Sequence, residues 1–329
     1  MSRFSWLVFN NINESTQIWP NRVNKPKHRS YSTLSSIASQ GKTLKQSLLR
    51  NEEGSGGGSD ATALSSYAIN HWFLTGLSDG EGSFGVSIIN SPASRVGFSV
   101  KPVFSIGLHT KDGAVLEQIK SLWGVGKIYY GHGPQTIQYR VESIKELQTV
   151  IKHFDKFPLI TQKLADYLLF KEVVSIIERK EHLTQEGLEK IVGIKAAINR
   201  GLSDKLKVAF PDVIPVARPL VELAPINAYW LAGFVSGEGS FGVQIYKAKT
   251  KLGEAVKVIF TITQHIRDEQ LMLNLIKYLD CGNVTKRNQE EAVDFKVIKF
   301  SDINNKIIPF FEKYPIQGVK SNDFKDYCK

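Results

Sequence analysis

Two glutamates, Glu81 and Glu238, are the residues whose setting most strongly suggests chemistry, because each lies in the same seven-residue segment. The sequence Gly-Glu-Gly-Ser-Phe-Gly-Val occupies residues 80–86 and recurs unchanged at residues 237–243. Two similar units in one chain predict a pseudo-twofold molecule, and therefore a target that is itself nearly twofold symmetric. Duplex DNA is the obvious candidate, with one carboxylate for each half of the molecule.

The repeat continues well beyond the two glutamates. The sequence of residues 109–112 returns in similar form at residues 265–268, and that of residues 154–163 returns at residues 311–320. Glu81 and Lys163 are 82 residues apart, and so are Glu238 and Lys320. A register held over that length indicates a duplicated domain, because its period is far too long for a solenoid.

The segment before each glutamate predicts a helix, since apolar residues recur there at helical spacing. Gly76 and Gly80 lie four residues apart, as do Gly233 and Gly237. On a helix this spacing makes a smooth stripe where another backbone can approach closely. We therefore expect the two helices to pack against each other and to end at the glycine after each glutamate.

After each helix the period changes to two, which predicts a strand with one apolar and one polar face. Helical segments at residues 112–122, 145–154 and 163–179 are expected to cover the apolar face of each sheet. The polar face stays open, as an antiparallel sheet permits. Further alternating runs lie at residues 103–109, 127–130 and 136–141 and, in the second unit, at residues 256–265, 283–286 and 295–300.

The net charge of +10 is distributed unevenly along the chain. Residues 1–51 contain eight Lys or Arg and one acid, which leaves only +3 for the remainder. Bulk charge therefore does not by itself indicate nucleic-acid binding. No apolar run is long enough to span a bilayer, so no membrane partner is expected. Cys281 and Cys328 form no zinc or redox pattern.

The chain divides into a basic leader (1–53), a flexible Gly/Ser linker (54–66), a first repeated domain (67–210), a proline-rich linker (211–226) and a second repeated domain (227–329). The acid-poor leader is typical of a mitochondrial presequence, which implies the mitochondrial matrix; a disordered tail or translated upstream exon is the alternative. The second domain is expected to be truncated, because only nine residues follow Lys320, whereas a long helical region follows Lys163.

Residues 74–82 and 231–239 resemble the paired LAGLIDADG motif. From about residue 67 onward, the chain resembles the single-chain, two-motif LAGLIDADG homing endonucleases of fungal mitochondrial introns, with the subgroup of the Ophiostoma enzyme as the best fit. The resemblance implies an α+β fold of two pseudo-twofold-related αββαββα domains, with antiparallel, saddle-shaped sheets and helices on one face. It also implies a monomer that uses a divalent metal to hydrolyse both strands of a long, asymmetric double-stranded DNA site.

In this family each motif helix delivers one catalytic, metal-binding carboxylate, and Glu81 and Glu238 occupy those positions. Mg²⁺ is the expected cofactor, since it accepts one or two carboxylates together with substrate phosphates. Mn²⁺ is the alternative cation, and Ca²⁺ is expected to bind without supporting cleavage. The two acids could instead merely cap or solvate helix ends. An acidic residue is, however, electrostatically unfavourable at a helix C-terminus. Because both repeats place a glutamate at this unfavourable position, a functional role is favoured.

Lys163 and Lys320 match the family's catalytic basic residue near the scissile phosphates, where a cation can stabilise developing charge or polarise water. The alternative is a solvated surface lysine, but the identical offset from each glutamate favours catalysis. Gln264 matches a family glutamine that orients solvent at the catalytic centre. Its counterpart is the apolar Leu108, so the two strands are expected to be cut at different rates.

A polar β surface fits the DNA major groove, where side chains can distinguish all four base pairs. The two faces differ in sequence, so the target is not expected to be a perfect palindrome. For each residue on these faces, solvation without any DNA contact is the alternative. The predicted DNA-binding residues are Ser83, Gly85, Ser87, Lys101, Ser105, Gln138, Arg140, Ser240, Gln244, Tyr246, Thr261, Lys286, Lys296 and Ile298.

Two other functions fit the same resemblance. One is a maturase that binds intron RNA and assists group I intron splicing, and the other is a DNA-binding regulator that does not cut. Both glutamates are intact, which favours the nuclease, because splicing does not require them and a regulator would be expected to have lost them.

Overall fold

The two halves of the chain repeat one order of helices and strands. In this computed structural model, residues 69–131, 135–249 and 251–329 are described, and they belong to one compact unit. The first half contains α1 (His71–Glu81), β1 (Gly82–Asn90), β2 (Phe98–His109), a 3-10 turn (Thr110–Asp112), α2 (Gly113–Trp123), β3 (Lys127–Tyr130), β4 (Thr136–Val141), α3 (Ile144–Lys156), α4 (Lys163–Glu178), a 3-10 turn (Glu181–Leu183), α5 (Gln185–Ala197) and α6 (Asp204–Ala209).

The second half contains α7 (Ala228–Glu238), β5 (Gly239–Lys247), β6 (Glu254–His265), a 3-10 turn (Ile266–Asp268), α8 (Glu269–Leu279), β7 (Asn283–Lys286), β8 (Ala292–Val297), α9 (Phe300–Asp302), a π-helical segment (Ile303–Ile307), α10 (Ile308–Lys313) and α11 (Lys320–Tyr327). This order confirms the predicted α+β arrangement of two αββαββα units. None of the described helices is long and apolar enough to cross a membrane. The predicted leader and Gly/Ser linker lie outside the described residues.

Each motif helix begins at an asparagine and ends at its glutamate. The Asn70 side chain accepts hydrogen bonds from the backbone N–H groups at the start of α1, and Asn227 does the same for α7. Both helices then pass directly into a strand, at Gly82 and at Gly239. A Cβ at Gly82 would lie only 2.5 Å from the carbonyl oxygen of Ser78. Close approach, and not a left-handed backbone, therefore explains the glycine, because its φ is −78°.

Each sheet has four antiparallel strands, in the orders β1-β2-β4-β3 and β5-β6-β8-β7. The register places Ser83 opposite Ser105, and Ser105 opposite Arg140. Directly paired residues share one face of a sheet. These three polar residues therefore lie on the same face, as predicted. The equivalent row in the second sheet is Ser240, Thr261 and Lys296.

The largest differences from the predicted strands are in β2 and β8. Strand β2 begins at Phe98, five residues before the predicted start, and includes Pro102. Because β4 pairs only with residues 104–109 of β2, Pro102 has a single neighbouring strand and its missing N–H is tolerated. The predicted strand at residues 295–300 is also misplaced. Strand β8 ends at Val297, and Lys299 precedes the first turn of α9.

The helices cover one face of each sheet, and each half has its own apolar core. In the first core, the ring of Phe84 lies 5.1 Å from that of Phe104 and 5.5 Å from that of Phe154. In the second core, the ring of Phe260 lies 5.5 Å from that of Phe311. Burying these faces leaves the opposite, polar faces open.

The segment between α6 and α7 contains no helix or strand, as its prolines predict. It is fastened to the first half by specific hydrogen bonds. The N–H of Val216 donates to the carbonyl oxygen of Gly193 at 3.1 Å. The Arg218 guanidinium donates to the buried Asp166 carboxylate at 2.7 Å. Because Asp166 is in the first turn of α4, this contact also supports the start of that helix.

Candidate active site

The glycine stripes of α1 and α7 face each other. A Cβ at Gly76 would overlap the carbonyl oxygen of Trp230, and a Cβ at Gly233 would overlap that of Phe73. Only glycine therefore permits the two backbones to lie this close together. The contact confirms the predicted helix pairing, and it brings the C-terminal ends of both helices to the same place.

Glu81 and Glu238 are the last residues of these helices, and each side chain lies over a glycine of the other helix. A Cβ at Gly80 would lie 3.3 Å from Cγ of Glu238, and a Cβ at Gly237 would lie 3.1 Å from Cγ of Glu81. Both glutamates are partly exposed. The structure therefore places two largely buried carboxylates, on residues that are still partly open to solvent, side by side on the pseudo-twofold axis.

Burial raises the pKa of both glutamates above its ordinary value. The pKa of Glu238 rises to about 7, first because of burial and then because of the charge on Glu81. Lys163 and Lys320 act in the opposite direction on both carboxylates. Burial thus disfavours the charged form of both carboxylates even with two lysines nearby, and a divalent cation would stabilise that form.

Lys163 and Lys320 complete the cluster from the first residues of α4 and α11. Nζ of Lys163 donates to the carbonyl oxygens of Ser78 at 3.0 Å and Gly80 at 2.9 Å. Nζ of Lys320 does the same in the second half, donating to the oxygen of Gly237 at 2.6 Å. The Ser78 oxygen also accepts from the N–H of Gly82. A cation is favoured at these helix C-termini, where the last carbonyls lack partners within the helix. Burial lowers the pKa of both lysines, while both glutamates raise it.

Asp79 is a buried part of this site that sequence reasoning did not assign. Its carboxylate accepts hydrogen bonds from the N–H of Ile160 at 3.0 Å, the hydroxyl of Thr161 at 2.5 Å and Nε1–H of Trp230 at 2.7 Å. Burial raises its pKa to about 6, although these donors oppose the shift. Asp79 therefore joins α1 both to α7 and to the loop that precedes Lys163. The equivalent residue in the second half is Ser236, so the repeat gave no signal for it.

Gln264 lies near the end of β6 and is buried on the face turned toward the helices. Its Oε1 accepts a local hydrogen bond from the N–H of His265 at 2.9 Å. The strand registers place Ile106 opposite Gly82 and Ile262 opposite Gly239, which makes Leu108 the structural counterpart of Gln264. The two halves therefore differ at this position, as predicted. The hydrogen bond from His265 does not, however, join Gln264 to the glutamates.

The predicted DNA-facing residues of the first sheet lie on its open face. Two of their side chains are already ordered, because Nε of Arg140 donates to Oε1 of Gln138 at 2.9 Å. The Arg140 guanidinium also lies over the ring of Tyr129, 5.5 Å from its centroid. Ser83, Ser87 and Lys101 are exposed, whereas Gly85, Ser105, Gln138 and Arg140 are partly exposed.

On the second sheet, Ser240, Gln244 and Tyr246 are exposed, and Thr261 and Lys296 are partly exposed. Ile298 follows the end of β8 and lines a surface recess together with Gln244 and Tyr246. These residues extend the open face toward the far end of the sheet.

Lys286 was placed wrongly by sequence reasoning. It pairs with the buried Val293 and therefore lies on the face of the sheet that the helices cover. Its Nζ forms an ion pair with Glu269 of α8 at 2.9 Å. Lys286 escapes burial because β7 is a short edge strand. Its neighbour Arg287 lies on the open face instead, where its Nε and Nη2 donate to the buried Asp294. Lys296 also contacts Asp294, at 2.9 Å.

At the ends of the two motif helices, the carboxylates of Glu81 and Glu238 are the acidic groups that could bind a metal. Across the described ranges, no group of three or more His, Cys, Asp or Glu is arranged to hold a metal ion. Glu81 and Glu238 instead fit the kind of Mg²⁺ site in which one or two carboxylates act together with substrate phosphates. Their raised pKa values are consistent with a site that forms fully only when cation and substrate are bound.

Comparison with known families matches both halves of the chain. The family model described as LAGLIDADG endonuclease covers residues 74–174 and 231–329. The chain belongs to the LAGLIDADG endonuclease family. The matched ranges include most of both motif helices, both sheets and both lysines, which confirms the resemblance inferred from the two motifs.

Known relatives are similar to this chain over different lengths. The probable intron-encoded endonuclease 3 of Neurospora crassa is 39% identical over 272 residues, which are 82% of this chain and 51% of that protein. A Podospora anserina protein in ND4 intron 1 is 43% identical over 119 residues, 36% of this chain and 26% of that protein. The chain thus spans about half the length of the Neurospora relative.

A solved LAGLIDADG homing endonuclease, I-SmaMI bound to cleaved DNA, has the same fold. Its TM-score is 0.77 at 44% identity, over 79% of this chain and 88% of that chain. A further I-SmaMI structure contains an uncleaved DNA target in the presence of calcium ions. These similarities confirm the family and the fold class. The assignment to the subgroup of the Ophiostoma enzyme stays a prediction.

Proposed function

We propose that this chain is a monomeric, site-specific DNA endonuclease that hydrolyses both strands of a long, asymmetric duplex with a divalent metal. The observation that carries the proposal is the cluster of Glu81, Glu238, Lys163 and Lys320 at the paired helix ends. It lies on the axis that relates two open polar sheets, as a double-strand cut requires. The DNA-bound state of I-SmaMI, which is 44% identical, supports the same substrate.

Glu81 and Glu238 would hold the metal. A bound Mg²⁺ would supply positive charge to the scissile phosphates and would activate water for attack. Mn²⁺ is expected to replace Mg²⁺, and Ca²⁺ is expected to bind without cleavage, for which the calcium-containing I-SmaMI complex with uncleaved DNA is a precedent in a relative. The two carboxylates would orient the cation, and because they are packed close together the site would depend on it.

Each half contributes one lysine to the site, so we assign one lysine to the chemistry of each DNA strand. Lys163 and Lys320 are anchored to helix carbonyls and lie within the field of both glutamates. From there an ammonium group can stabilise the charge that develops on a phosphate. Gln264 would order solvent in one half, and Leu108 could not do so in the other. Unequal rates for the two strands follow.

The open faces of the two sheets would read the DNA. Arg and Lys side chains there favour guanine, Gln favours adenine, and small polar residues act through water. Arg287 replaces Lys286 in this assignment, because Asp294 holds its guanidinium on the open face. The other predicted residues of both faces keep their proposed role.

Similarity to a protein in ND4 intron 1 supports a mitochondrial origin, and we propose the matrix as the place of action. The maturase alternative, with intron RNA as partner, is not favoured. Both glutamates are retained, and the Neurospora relative is described as an endonuclease.

The test incubates the protein and Mg²⁺ with a randomised duplex library and sequences the cut ends. Double-strand breaks at one preferred sequence are expected, and they should disappear in Glu81→Gln and Glu238→Gln variants. Glu117→Gln is the matched control, because Glu117 is exposed on α2 and pairs only weakly with Lys120 at 3.8 Å. Undiminished cutting in either active-site variant would refute the proposal.

A further inference from the structure

The two halves of the molecule exchange one hydrogen bond each next to the site lysines. The carboxylate of Asp268, in the second half, accepts from the N–H of Gln162 at 2.7 Å. The carboxylate of Asp112, in the first half, accepts from the N–H of Val319 at 2.6 Å. Gln162 immediately precedes Lys163, and Val319 immediately precedes Lys320. The bonds therefore cross the interface in both directions and meet the chain one residue before each lysine.

The pairing is reciprocal and specific. Asp112 and Asp268 each end the 3-10 turn that follows the second strand of their own half. Gln162 and Val319 are the residues from which α4 and α11 begin. A charged acceptor at the start of a helix is favourable, and its bond to a backbone N–H is among the stronger hydrogen bonds. The same arrangement is thus built twice from residues that are distant in sequence.

Gly318 shows that the second contact constrains its surroundings. Its φ is +77°, which favours glycine, and a Cβ at this position would overlap the Asp112 carboxylate. The site thus keeps a glycine where the carboxylate must approach the backbone. In the first half the same position is Thr161, which is held by Asp79. Each lysine loop is therefore fixed by buried or partly buried acids, and one acid in each case comes from the opposite half.

We infer that Asp268 and Asp112 are positioning residues, each of which sets the lysine of the opposite half in place for cleavage of one strand. The inference rests on the proposed endonuclease function and on the assignment of one lysine to each strand. Each aspartate also ends the turn that directly follows a strand whose open face is assigned to DNA reading. Cleavage of one strand would therefore depend on correct seating of the other half of the molecule on the DNA.

The experiment uses the duplex recovered from the library selection, with a different fluorophore on each strand, in the presence of Mg²⁺. Lys163→Ala and Lys320→Ala first identify the strand that each lysine serves. Asp268→Ala is then expected to slow the Lys163-dependent strand by about 10- to 100-fold, the range expected for a displaced catalytic group. Asp112→Ala is expected to slow the Lys320-dependent strand. In each case the slowed strand is the one served by the lysine of the half opposite to the substituted aspartate.

Several controls separate positioning from general destabilisation. Asp204→Ala removes an aspartate whose side chain is 97% exposed, and it should leave both rates unchanged. Asp268→Asn and Asp112→Asn keep an oxygen acceptor and should give a smaller bias in the same direction. Binding of the same duplex with Ca²⁺, and the melting temperature, should change little in the asparagine variants. If an alanine variant does not fold, the asparagine variant decides the outcome.

The inference is overturned if the aspartate variants slow both strands equally, or neither, while the lysine variants remain strand-selective. Loss of strand selectivity in the lysine variants themselves would instead contradict the assignment of one lysine to each strand. A test without DNA is hydrogen exchange. In Asp268→Ala the amides around Gln162 should exchange faster, and in Asp112→Ala those around Val319, whereas unchanged protection would also overturn the inference.

Discussion

His153 is a buried histidine whose surroundings exclude protonation. Its Nε2 lies 3.1 Å from the hydroxyl of Thr75, and aromatic rings including Trp123 and Phe157 surround it. Burial, and to a smaller extent the nearby His71, lower its pKa to about 3. In the unfolded chain a histidine has a pKa near 6.5. The unfolded state therefore binds a proton between these values, and the stability that His153 contributes falls as pH decreases through that range.

This titration predicts a measurable difference between the wild type and His153→Gln, in which the side chain does not titrate. From pH 7 to pH 5 the wild type should lose about 2 kcal/mol of unfolding free energy relative to the variant. Urea unfolding at both pH values gives the two free energies. His182 is a suitable control, because it is exposed to solvent in part and its pKa is lowered less. A difference between wild type and His153→Gln that does not change with pH would contradict the assignment.

At the residue scale, the sequence predicted the parts of the site that recur, and it missed those defined by tertiary contacts. Glu81 and Lys163 could be found because the repeat holds their spacing in both halves. Asp79 could not, because its counterpart is a serine and its partners are more than 80 residues away. Asp112 and Asp268 were visible as matching residues, but their role depends on contacts across the interface that no spacing within one half reveals.

The α1–α7 pair is the element on which the site depends, because its backbone contact fixes the distance between the carboxylates. An alanine in place of Gly76 would favour an isolated helix by about 1 kcal/mol. In the pair, however, its Cβ would overlap backbone atoms of Trp230, which cannot move independently. We predict that Gly76→Ala and Gly233→Ala each destabilise the protein by about 3 kcal/mol or more and strongly reduce cleavage.

Gly85→Ala is the control for these variants, because the nearest atom to its Cβ would be an oxygen at an ordinary 3.6 Å. Its unfolding free energy should stay within about 0.5 kcal/mol of the wild type. Urea unfolding measures all three variants under one condition. Equal stabilities for Gly76→Ala and Gly85→Ala would mean that the helices are farther apart in solution.

Elements with a clear period were predicted well, and those decided by their neighbours were not. The motif helices and the first strands follow from one helical and one alternating pattern. The start of β2 was missed because Pro102 is acceptable only where β2 has a single neighbour. Lys286 was misplaced because the parity of a four-residue edge strand cannot be fixed from its own sequence. Both errors concern strand pairing, which depends on residues elsewhere in the chain.

At the scale of the whole molecule, the two halves differ in how the far end of each sheet is covered. In the first half, Val86 and Ile88 are 2% and 4% exposed beneath the helices. The equivalent residues of the second half, Val243 and Ile245, are 62% and 66% exposed. Similar positions in one repeat therefore contribute very differently to the stability of this chain, although their sequences would suggest equal roles.

This difference allows the effect of one substitution to be compared at two equivalent positions of the same protein. Val86→Thr places a hydroxyl in a dry core and should cost about 1–3 kcal/mol of unfolding free energy. Val243→Thr makes the same change where water is already present, so its effect should stay within about 0.5 kcal/mol. Urea unfolding of both variants at two protein concentrations is the measurement. A comparable cost at Val243, especially one that depends on concentration, would mean that another surface covers this face in solution. An independent check follows from the same exposure, because the amides of β5 should exchange their hydrogens faster than those of β1.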